Sequence, residues 1–430
     1  MDLIVVKNYG DRIQAHYLAV AGIEKAKAAL YHEARSRSRS AQHHSGELYD
    51  APDQFRKINL GRGEYSVFRR ASDEEGGGLR YGISDEESRL NVNAASVEDL
   101  MKLDGMTTDV AAAMVDWRDR DKQVTPGVAE IEYYASLRPP RQPRDGPLQT
   151  VRELLMVRGF PMQYLPSGNA GQGGAAAEGG MDPESSTLGS VDLGWSGLLT
   201  VDSGVSDINA AGNKRVNVQR EDERSLSSVR GITSDIAHAI VTYRGQHELQ
   251  SIGDLLDVTA PAAQNALGPQ VNNSGSRRSR SGDNSNTQSS DASSSSSTGR
   301  KVIDNQLLMD IADEVTVGTQ NLLTGVVNIN TAGVEVLACL PGMTRDLAQA
   351  IVTFRKSNGY FPNTAHLLKV PGMSPEIFRQ VIPRVSVRSE TFRILSEGRV
   401  PASGTRQRIQ EIVRVSLDGL TTLSYREDDL

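Results

Sequence analysis

Residues 327–355 read VNINTAGVEVLACLPGMTRDLAQAIVTFR, and this stretch decides the fold of most of the chain. Apolar residues at helical spacing precede Gly342, and a second helical run follows Thr344. Glycine allows the positive φ at which a first helix ends, and a threonine hydroxyl can cap the start of a second. The stretch therefore predicts two short helices joined by a tight turn.

The same pattern occurs at residues 90–118 and 216–244, so the chain carries three copies of one helix-hairpin-helix unit. The spacing from the turn glycine to a later alanine, and on to an aromatic-arginine pair, is identical in all three. The third copy is followed by a further half-unit with its own turn. The predicted turn glycines are Gly105, Gly231, Gly342 and Gly372. The Asn-x-Asn pairs at the start of the outer copies predict side-chain capping of a turn: Asn91 with Asn93, and Asn328 with Asn330.

Composition and charge limit the number of domains and the kinds of site that this chain can contain. The 430 residues are enough for two or three domains, and a net charge of −7 argues against a surface built throughout for nucleic acid. The single cysteine, Cys339, excludes an intramolecular disulfide and a cysteine-based metal cluster, and its apolar surroundings predict a buried side chain. No run approaches the roughly 18 apolar residues of a membrane span.

The two ends of the chain predict a different structure. An alanine-rich helix is expected from Ile13 to Ala34, with a polar loop from Arg35 to Ser45. Alternating residues predict a strand at 63–69, with a partner at 79–83 after three glycines. Strands at 391–396 and 409–417 are expected to form an antiparallel pair, in which Glu411 is the exception on an apolar face. The fold class is α+β.

Two low-complexity stretches separate the repeats. Gly, Ala and Ser dominate the first, and Ser, Asn, Arg and Gly dominate the second. Neither buries enough apolar surface to offset the entropy of ordering its backbone. Both are predicted to be linkers, at 166–206 and 268–300.

Several motifs carry a family resemblance. They are DEESRLNVN at 85–93, DWRDRD at 116–121, Glu130, Tyr133 and LQTVREL at 148–154, together with the helix around residues 15–22. In these the chain resembles the general secretion pathway protein K family, the K-type minor pseudopilins of type II secretion. The resemblance is close from Gln14 to about Phe160 and looser from Val326 to Leu417. The middle repeat and both linkers depart from the family pattern.

The resemblance implies an architecture. An N-terminal pilin-like helix and a small antiparallel sheet would carry a large inserted α-helical domain of helix-hairpin-helix repeats. The strands at 63–83 and 391–417 would then join into one sheet. The corresponding segments are 1–88 (helix and first strands), 89–165 (first unit), 166–206 (linker), 207–267 (second unit), 268–300 (linker), 301–388 (third, tandem unit) and 389–430 (final strands).

The resemblance also implies a function. Family members are non-enzymatic and require no cofactor, although they are associated with calcium. They cap a periplasmic pseudopilus with I-type and J-type minor pseudopilins and inner-membrane secretion components. They sit in the inner membrane facing the periplasm through an apolar N-terminal segment, which this sequence lacks. The expected partner contacts are Tyr17, Val20 and Ile23 on the first helix. The alternative, that this face packs only on its own sheet, stays open.

Two other functions are considered. The third unit resembles the tandem hairpins of the DNA-uptake protein ComEA, and residues 327–388 hold seven basic and three acidic residues. DNA binding by this unit is the main alternative, although residues 89–121 hold four basic and seven acidic residues. The acidic run with Asp116, Asp119, Asp121 and Glu130 is either a solvated turn or a calcium site. No nucleophile elbow or phosphate-binding glycine loop predicts catalysis.

Overall fold

The computed structural model describes residues 2–40, 42, 46–119, 131–165, 194–260 and 300–427. Within these ranges no helix combines the length and apolar character of a membrane span. Asp121, Glu130 and most of the two predicted linkers lie outside the described residues.

The structure alternates short helices with short strands between two longer, β-rich ends. The helices are α1 (Asp2–Ser40), α2 (Pro52–Phe55), α3 (Val97–Leu100), α4 (Thr108–Arg118), α5 (Ile131–Ser136), α6 (Glu223–Ser227), α7 (Ser234–Arg244), α8 (Asn305–Ile311), α9 (Val334–Ala338), α10 (Arg345–Asn358) and α11 (Pro375–Val381). The strands are β1 (Ile58–Leu60), β2 (Gly63–Val67), β3 (Arg69–Arg70), β4 (Leu79–Arg80), β5 (Ser84–Asp85), β6 (Leu90–Asn91), β7 (Leu199–Thr200), β8 (Gly204–Ser206), β9 (Val216–Asn217), β10 (Val315–Thr316), β11 (Leu322–Thr324), β12 (Val327–Asn328), β13 (Val385–Ser386), β14 (Thr391–Val400), β15 (Thr405–Val415) and β16 (Leu420–Glu427). Short 3₁₀ helices include Asp73–Glu75, Val151–Met156, Met162–Tyr164, Gly194–Gly197, Ile252–Asp257, Thr364–Lys369 and Ile382–Arg384.

The two ends of the chain form one antiparallel sheet, here called the head together with α1. The strand order is β1-β2-β14-β15-β16, with β5 also pairing β14. The β2–β14 ladder runs from Val67 opposite Ser396 to Glu64 opposite Arg399. The predicted joining of the two distant strand regions is thus confirmed for β2 and β5, which both pair with β14. The strand predicted at 79–83 is instead β4, which pairs with β3 in a separate ladder. Residues 86–390 leave and return at neighbouring points of the head.

Helix α1 covers one face of this sheet. Ala19, Ile23, Ala26 and Leu30 are buried in one cluster with apolar residues of β2, β14 and β15. The helix is longer than predicted at both ends, because it begins at Asp2 instead of Ile13 and continues through the polar stretch 35–40 instead of ending at Ala34. Arginine favours helix in water, and the Ser38 hydroxyl donates to the Ala211 carbonyl at 2.9 Å, so polar composition alone does not end the helix.

The residues between the head strands form three units, each closed by a two-residue parallel ladder. The pairs are β6 with β7, β9 with β10, and β12 with β13. We call these the first, second and third units. The prediction that strands occur only near the chain ends is therefore wrong. Two-residue strands have no alternation that a sequence pattern could reveal.

Equivalent side chains tie each unit together. The first asparagine of each unit accepts a hydrogen bond from the backbone N–H two residues later, at 2.8, 2.9 and 2.9 Å, which is the predicted turn capping. The second asparagine also bridges to the closing strand: Asn93 donates to Val201 O and Asn330 to Val387 O. The arginine that ends the second hairpin helix reaches back to carbonyls of the loop or strand that opens the unit. The donors are Arg118, Arg244 and Arg355.

The hairpin turns follow the sequence prediction. Gly105, Gly231, Gly342 and Gly372 have φ values of 75°, 103°, 69° and 89°. In the three full hairpins a threonine hydroxyl then accepts from the N–H three residues later: Thr107, Thr233 and Thr344. One large apolar cluster runs through all three units and is separate from the head clusters.

Candidate assembly surface and its support

An apolar stripe lies on the side of α1 that faces away from the sheet. Val6, Tyr9, Ile13 and Tyr17 follow one another at three- or four-residue spacing and therefore share one side of the helix. Their exposed fractions are 67%, 67%, 41% and 65%. Four large apolar side chains exposed along one helix side are typical of a surface that packs against another molecule.

The three predicted partner contacts occupy three different environments. Tyr17 belongs to the exposed stripe, and Val20 is half-buried against the head core. Ile23 is 2% exposed and packs on the chain's own sheet, so in this conformation it offers no surface to a partner. The assignment of Ile23 to a partner helix is therefore corrected: an alanine-rich helix is apolar on two sides, and the sheet takes the side that carries Ile23.

The segment Asp85-Glu86-Glu87 joins the head to the first and third units, and all three side chains are buried. Glu86 contacts Arg393 of β14 at 2.9 Å and Arg89 at 3.3 Å, and it accepts from the Thr200 hydroxyl at 2.5 Å. Burial by itself would raise the pKa of Glu86, but the charges of Arg393 and Arg89 outweigh it and lower the pKa. Burial lowers the pKa of Arg89 to about 10.

The two flanking carboxyl groups contact other parts of the junction. Asp85 accepts from the Ser389 hydroxyl at 2.6 Å and from the Thr331 hydroxyl, so it connects the head strand to the third unit. Glu87 accepts from the N–H groups of Gly204 at 2.8 Å and Thr391 at 3.0 Å. Burial raises the pKa of Asp85, and burial together with the charge of Asp85 raises that of Glu87 well above its usual range. This junction fixes the first and third units relative to the head and hence to α1.

The basic residues of the third unit are largely engaged by acidic residues from elsewhere in the chain. Arg355 pairs with Glu74, Arg379 with Asp257, Arg384 with Asp99 and Arg388 with Glu390, while Arg345 lies 3.8 Å from Glu335 of the same unit. In the folded chain the positive excess of residues 327–388 is therefore mostly neutralised. This arrangement weakens the electrostatic case for DNA binding.

The predicted calcium site is only half within the described residues. Asp116 lies in α4 and Asp119 caps its C-terminal end, whereas Asp121 and Glu130 fall outside. Among the described residues no group of three or more His, Cys, Asp or Glu side chains is arranged to hold a metal ion. Calcium binding by the full acidic run stays a prediction.

Several structural residues were missed from the sequence. The closing strands share a pattern of an apolar residue, Thr or Ser, and valine, at 199–201, 315–317 and 385–387. A Leu-Leu-x-Val pattern marks the 3₁₀ helix that follows each hairpin, at 154–157, 255–258 and 367–370. A repeat search extended beyond the aromatic-arginine pair would have found both.

Comparison with known proteins supports two parts of this description. A family model described as "Type II secretion system (T2SS), protein K" matches residues 81–166. A helix-hairpin-helix motif model matches residues 324–386. The sequence resemblance is thus confirmed over these two ranges: residues 81–166 match the protein K model, and the third unit matches the helix-hairpin-helix model.

Individual relatives either match a shorter stretch of this chain or share less sequence identity with it. A stretch of 54 residues, 13% of this chain, is 46% identical to Protein YhgF of Escherichia coli K12 and 43% identical to an uncharacterized protein of Neisseria meningitidis serogroup A. The chain spans only 7% of the length of each of these relatives. In the crystal structure of the GspK-GspI-GspJ complex from enterotoxigenic Escherichia coli, one chain matches over 98% of both chains with a TM-score of 0.48 and 13% identity.

Proposed function

We propose that this chain is a K-type minor pseudopilin, a non-enzymatic component that assists assembly of the type II secretion pseudopilus and protein export. The observation that carries the proposal is the exposed stripe on α1, whose opposite side packs on the sheet of the head. The stripe consists of Val6, Tyr9, Ile13 and Tyr17. Burying a large apolar side chain stabilises a complex by roughly 1.5–3 kcal/mol, so the stripe supplies enough driving force for helix-to-helix association.

The protein K domain at 81–166 supports the choice of partners. In that family the K-type protein assembles with I-type and J-type minor pseudopilins at the tip of the pseudopilus, on the periplasmic side of the inner membrane. The stripe begins near the N-terminus of α1, where residues 6–10 are all exposed. A partner helix can therefore lie along α1 without displacing the sheet.

The buried carboxyl groups support a structural role. Asp85, Glu86 and Glu87 each accept hydrogen bonds that hold the junction closed, and Glu86 also pairs with two arginines. Their shifted pKa values follow from burial and from these partners. We propose that these groups position the first and third units on the head and take no part in a reaction.

Co-purification with the I-type and J-type proteins of the same organism tests the proposal. The variant Ile13→Glu/Tyr17→Glu places two charges in the stripe and should reduce recovery of both partners at least tenfold. Arg12→Ser/Lys25→Ser changes exposed positions on the same helix, lowers the net charge equally, and should leave recovery within twofold. Failure of the unmodified chain to recover either partner, or equal recovery by both variants, would overturn the proposed function.

A further inference from the structure

A cavity of about 270 Å³ lies in the first unit, between α5 and the turn after the 3₁₀ helix Val151–Met156. The charged side chains that line it are Arg138, Arg141 and Arg158, and its lining contains no carboxylate. Three guanidinium groups around one concave surface favour a negatively charged ligand.

One buried residue anchors the backbone at two of these arginines. Tyr134 is 2% exposed, and its hydroxyl accepts from the backbone N–H of Arg158 at 3.1 Å while its carbonyl accepts from the backbone N–H of Arg141 at 2.9 Å. The Arg158 guanidinium lies over the Tyr133 ring, 4.8 Å from its centroid. The backbone of this wall is therefore fixed, and the guanidinium of Arg158 is positioned by the ring.

The acidic side chain of Glu153 does not neutralise the cavity. Glu153, in the adjoining 3₁₀ helix, is already engaged by Arg144 at 3.2 Å and by the Trp117 indole at 3.2 Å. Among the described residues, none of the three cavity arginines forms an ion pair. An unneutralised cluster of this kind contrasts with the third unit, where most arginines have acidic partners.

The apolar part of the lining favours an anion that carries an apolar group. Leu137, Leu155, Met156 and Val157 give the cavity apolar walls, and its volume suits one or two side chains. A phosphate group has no apolar part to place against these walls, whereas a carboxylate next to an apolar side chain fits both kinds of lining.

We propose that this cavity binds an acidic peptide segment of another protein, seating a carboxylate among Arg138, Arg141 and Arg158 and an adjacent apolar side chain against Met156. The site lies on the inserted domain, away from the α1 stripe. It gives the protein a second interaction surface that is independent of pseudopilus assembly.

Fluorescence anisotropy with the full chain tests this. The probe is a labelled hexapeptide of alternating aspartate and leucine, and the matched probe replaces aspartate with asparagine. Arg138→Gln/Arg141→Gln/Arg158→Gln should weaken binding of the aspartate peptide at least tenfold. Arg152→Gln/Arg220→Gln/Arg230→Gln removes three exposed arginines outside the cavity and should change binding less than twofold. Far-ultraviolet circular dichroism establishes that both variants are folded.

The outcomes separate the alternatives. Binding of the aspartate peptide alone, lost only in the cavity variant, supports the proposal. Equal weakening by both triple variants, or equal binding of the asparagine peptide, overturns it. Tighter binding of a 20-base-pair DNA duplex that is lost in the cavity variant also overturns it, in favour of nucleic acid. Co-purification of the I-type and J-type partners should be unchanged by the cavity variant, so failure here is distinguishable from failure of the proposed function.

Discussion

Tyr65 and Gly398 face each other across one antiparallel ladder, although the three units lie between them in the chain. Gly398 also lets α1 cross the sheet at very short range. A Cβ at this position would lie 2.0 Å from the Ala15 carbonyl oxygen and 2.5 Å from the Ala19 nitrogen. Helix α1 and the strands β2 and β14 thus meet at a position where only glycine fits. The head therefore depends on both ends of the chain being present together.

Replacing this glycine tests the packing of α1. Gly398→Val should reduce the free energy of unfolding by about 3 kcal/mol or more, because the added atoms collide with helix backbone that cannot move aside. Urea denaturation followed by circular dichroism measures the change. Gly10→Val on the open side of α1 has no atom within 4 Å of the new Cβ and should change stability by less than about 0.5 kcal/mol. Similar losses in both variants would contradict the close contact.

The ion pairs of Glu86 predict a large effect of a conservative substitution. Glu86→Gln leaves Arg393 and the largely buried Arg89 without the carboxylate that both contact, and breaking one side of a buried pair costs about 3 kcal/mol. The two tryptophans, Trp117 and Trp195, are both buried in the first unit, so their fluorescence reports this unit during urea unfolding. Glu98→Gln, at an exposed position of α3, should stay within about 0.5 kcal/mol. A stability of Glu86→Gln equal to that of the unmodified protein would contradict the role of the junction.

The raised pKa values of Asp85 and Glu87 predict the pH dependence of stability. The folded state holds protons to higher pH than the unfolded chain does, so this contribution is full at low pH and is lost as pH rises through the raised values. The urea midpoint of the unmodified protein should therefore fall as pH rises above about 4, the usual range of these carboxyl groups. Asp85→Asn removes the charge that raises the pKa of Glu87, while the Ser389 and Thr331 hydroxyls can rotate to accept from the new amide. The fall should be smaller in this variant, and an identical slope in the two proteins would count against the coupling.

The neutralised third unit predicts weak DNA binding. The full chain should bind a 20-base-pair duplex at about 150 mM salt with a Kd weaker than about 100 µM, at the weak end of nonspecific protein–DNA binding. Electrophoretic mobility shift at several salt concentrations measures this. Binding in the low micromolar range with a steep salt dependence would favour the DNA-binding alternative for residues 327–388.

Local signals made the repeats predictable. A glycine that needs positive φ, a threonine that caps the next helix and an arginine at fixed spacing each act within one unit, so the sequence contains them in order. The residue patterns indicated strands near the two ends of the chain, and the family resemblance implied that these strands join into one sheet. Contacts that satisfy a buried charge from a distant part of the chain could not be predicted. Glu411 interrupts an apolar strand face, and only the structure shows Lys27 of α1 at 3.3 Å and the Thr422 hydroxyl at 2.5 Å.

The environment of Ile23 was unpredictable for a related reason. Alanine and larger apolar residues occur on both sides of α1, and its periodicity does not distinguish the side that packs on the sheet from the side that remains exposed. The ladders that close the units are two residues long. In the first unit the two paired strands are more than a hundred residues apart in the chain. Pairing of this kind is set by tertiary contacts, which local propensity does not encode.

A disulfide across the β2–β14 ladder tests the central claim most directly. Glu64 and Arg399 are registered partners, and antiparallel partners lie about 5.5 Å apart at Cα, within disulfide reach. Cys339 is buried and burial raises its pKa to about 12, so it will not compete for the introduced thiols. After oxidation of Glu64→Cys/Arg399→Cys and proteolysis between the two positions, the N- and C-terminal fragments should migrate together on a non-reducing gel. In Asn59→Cys/Arg399→Cys the first cysteine is one strand farther away, and the fragments should separate. Separation of the fragments in the first variant, or equal crosslinking in both, would contradict a head built from the two ends of the chain.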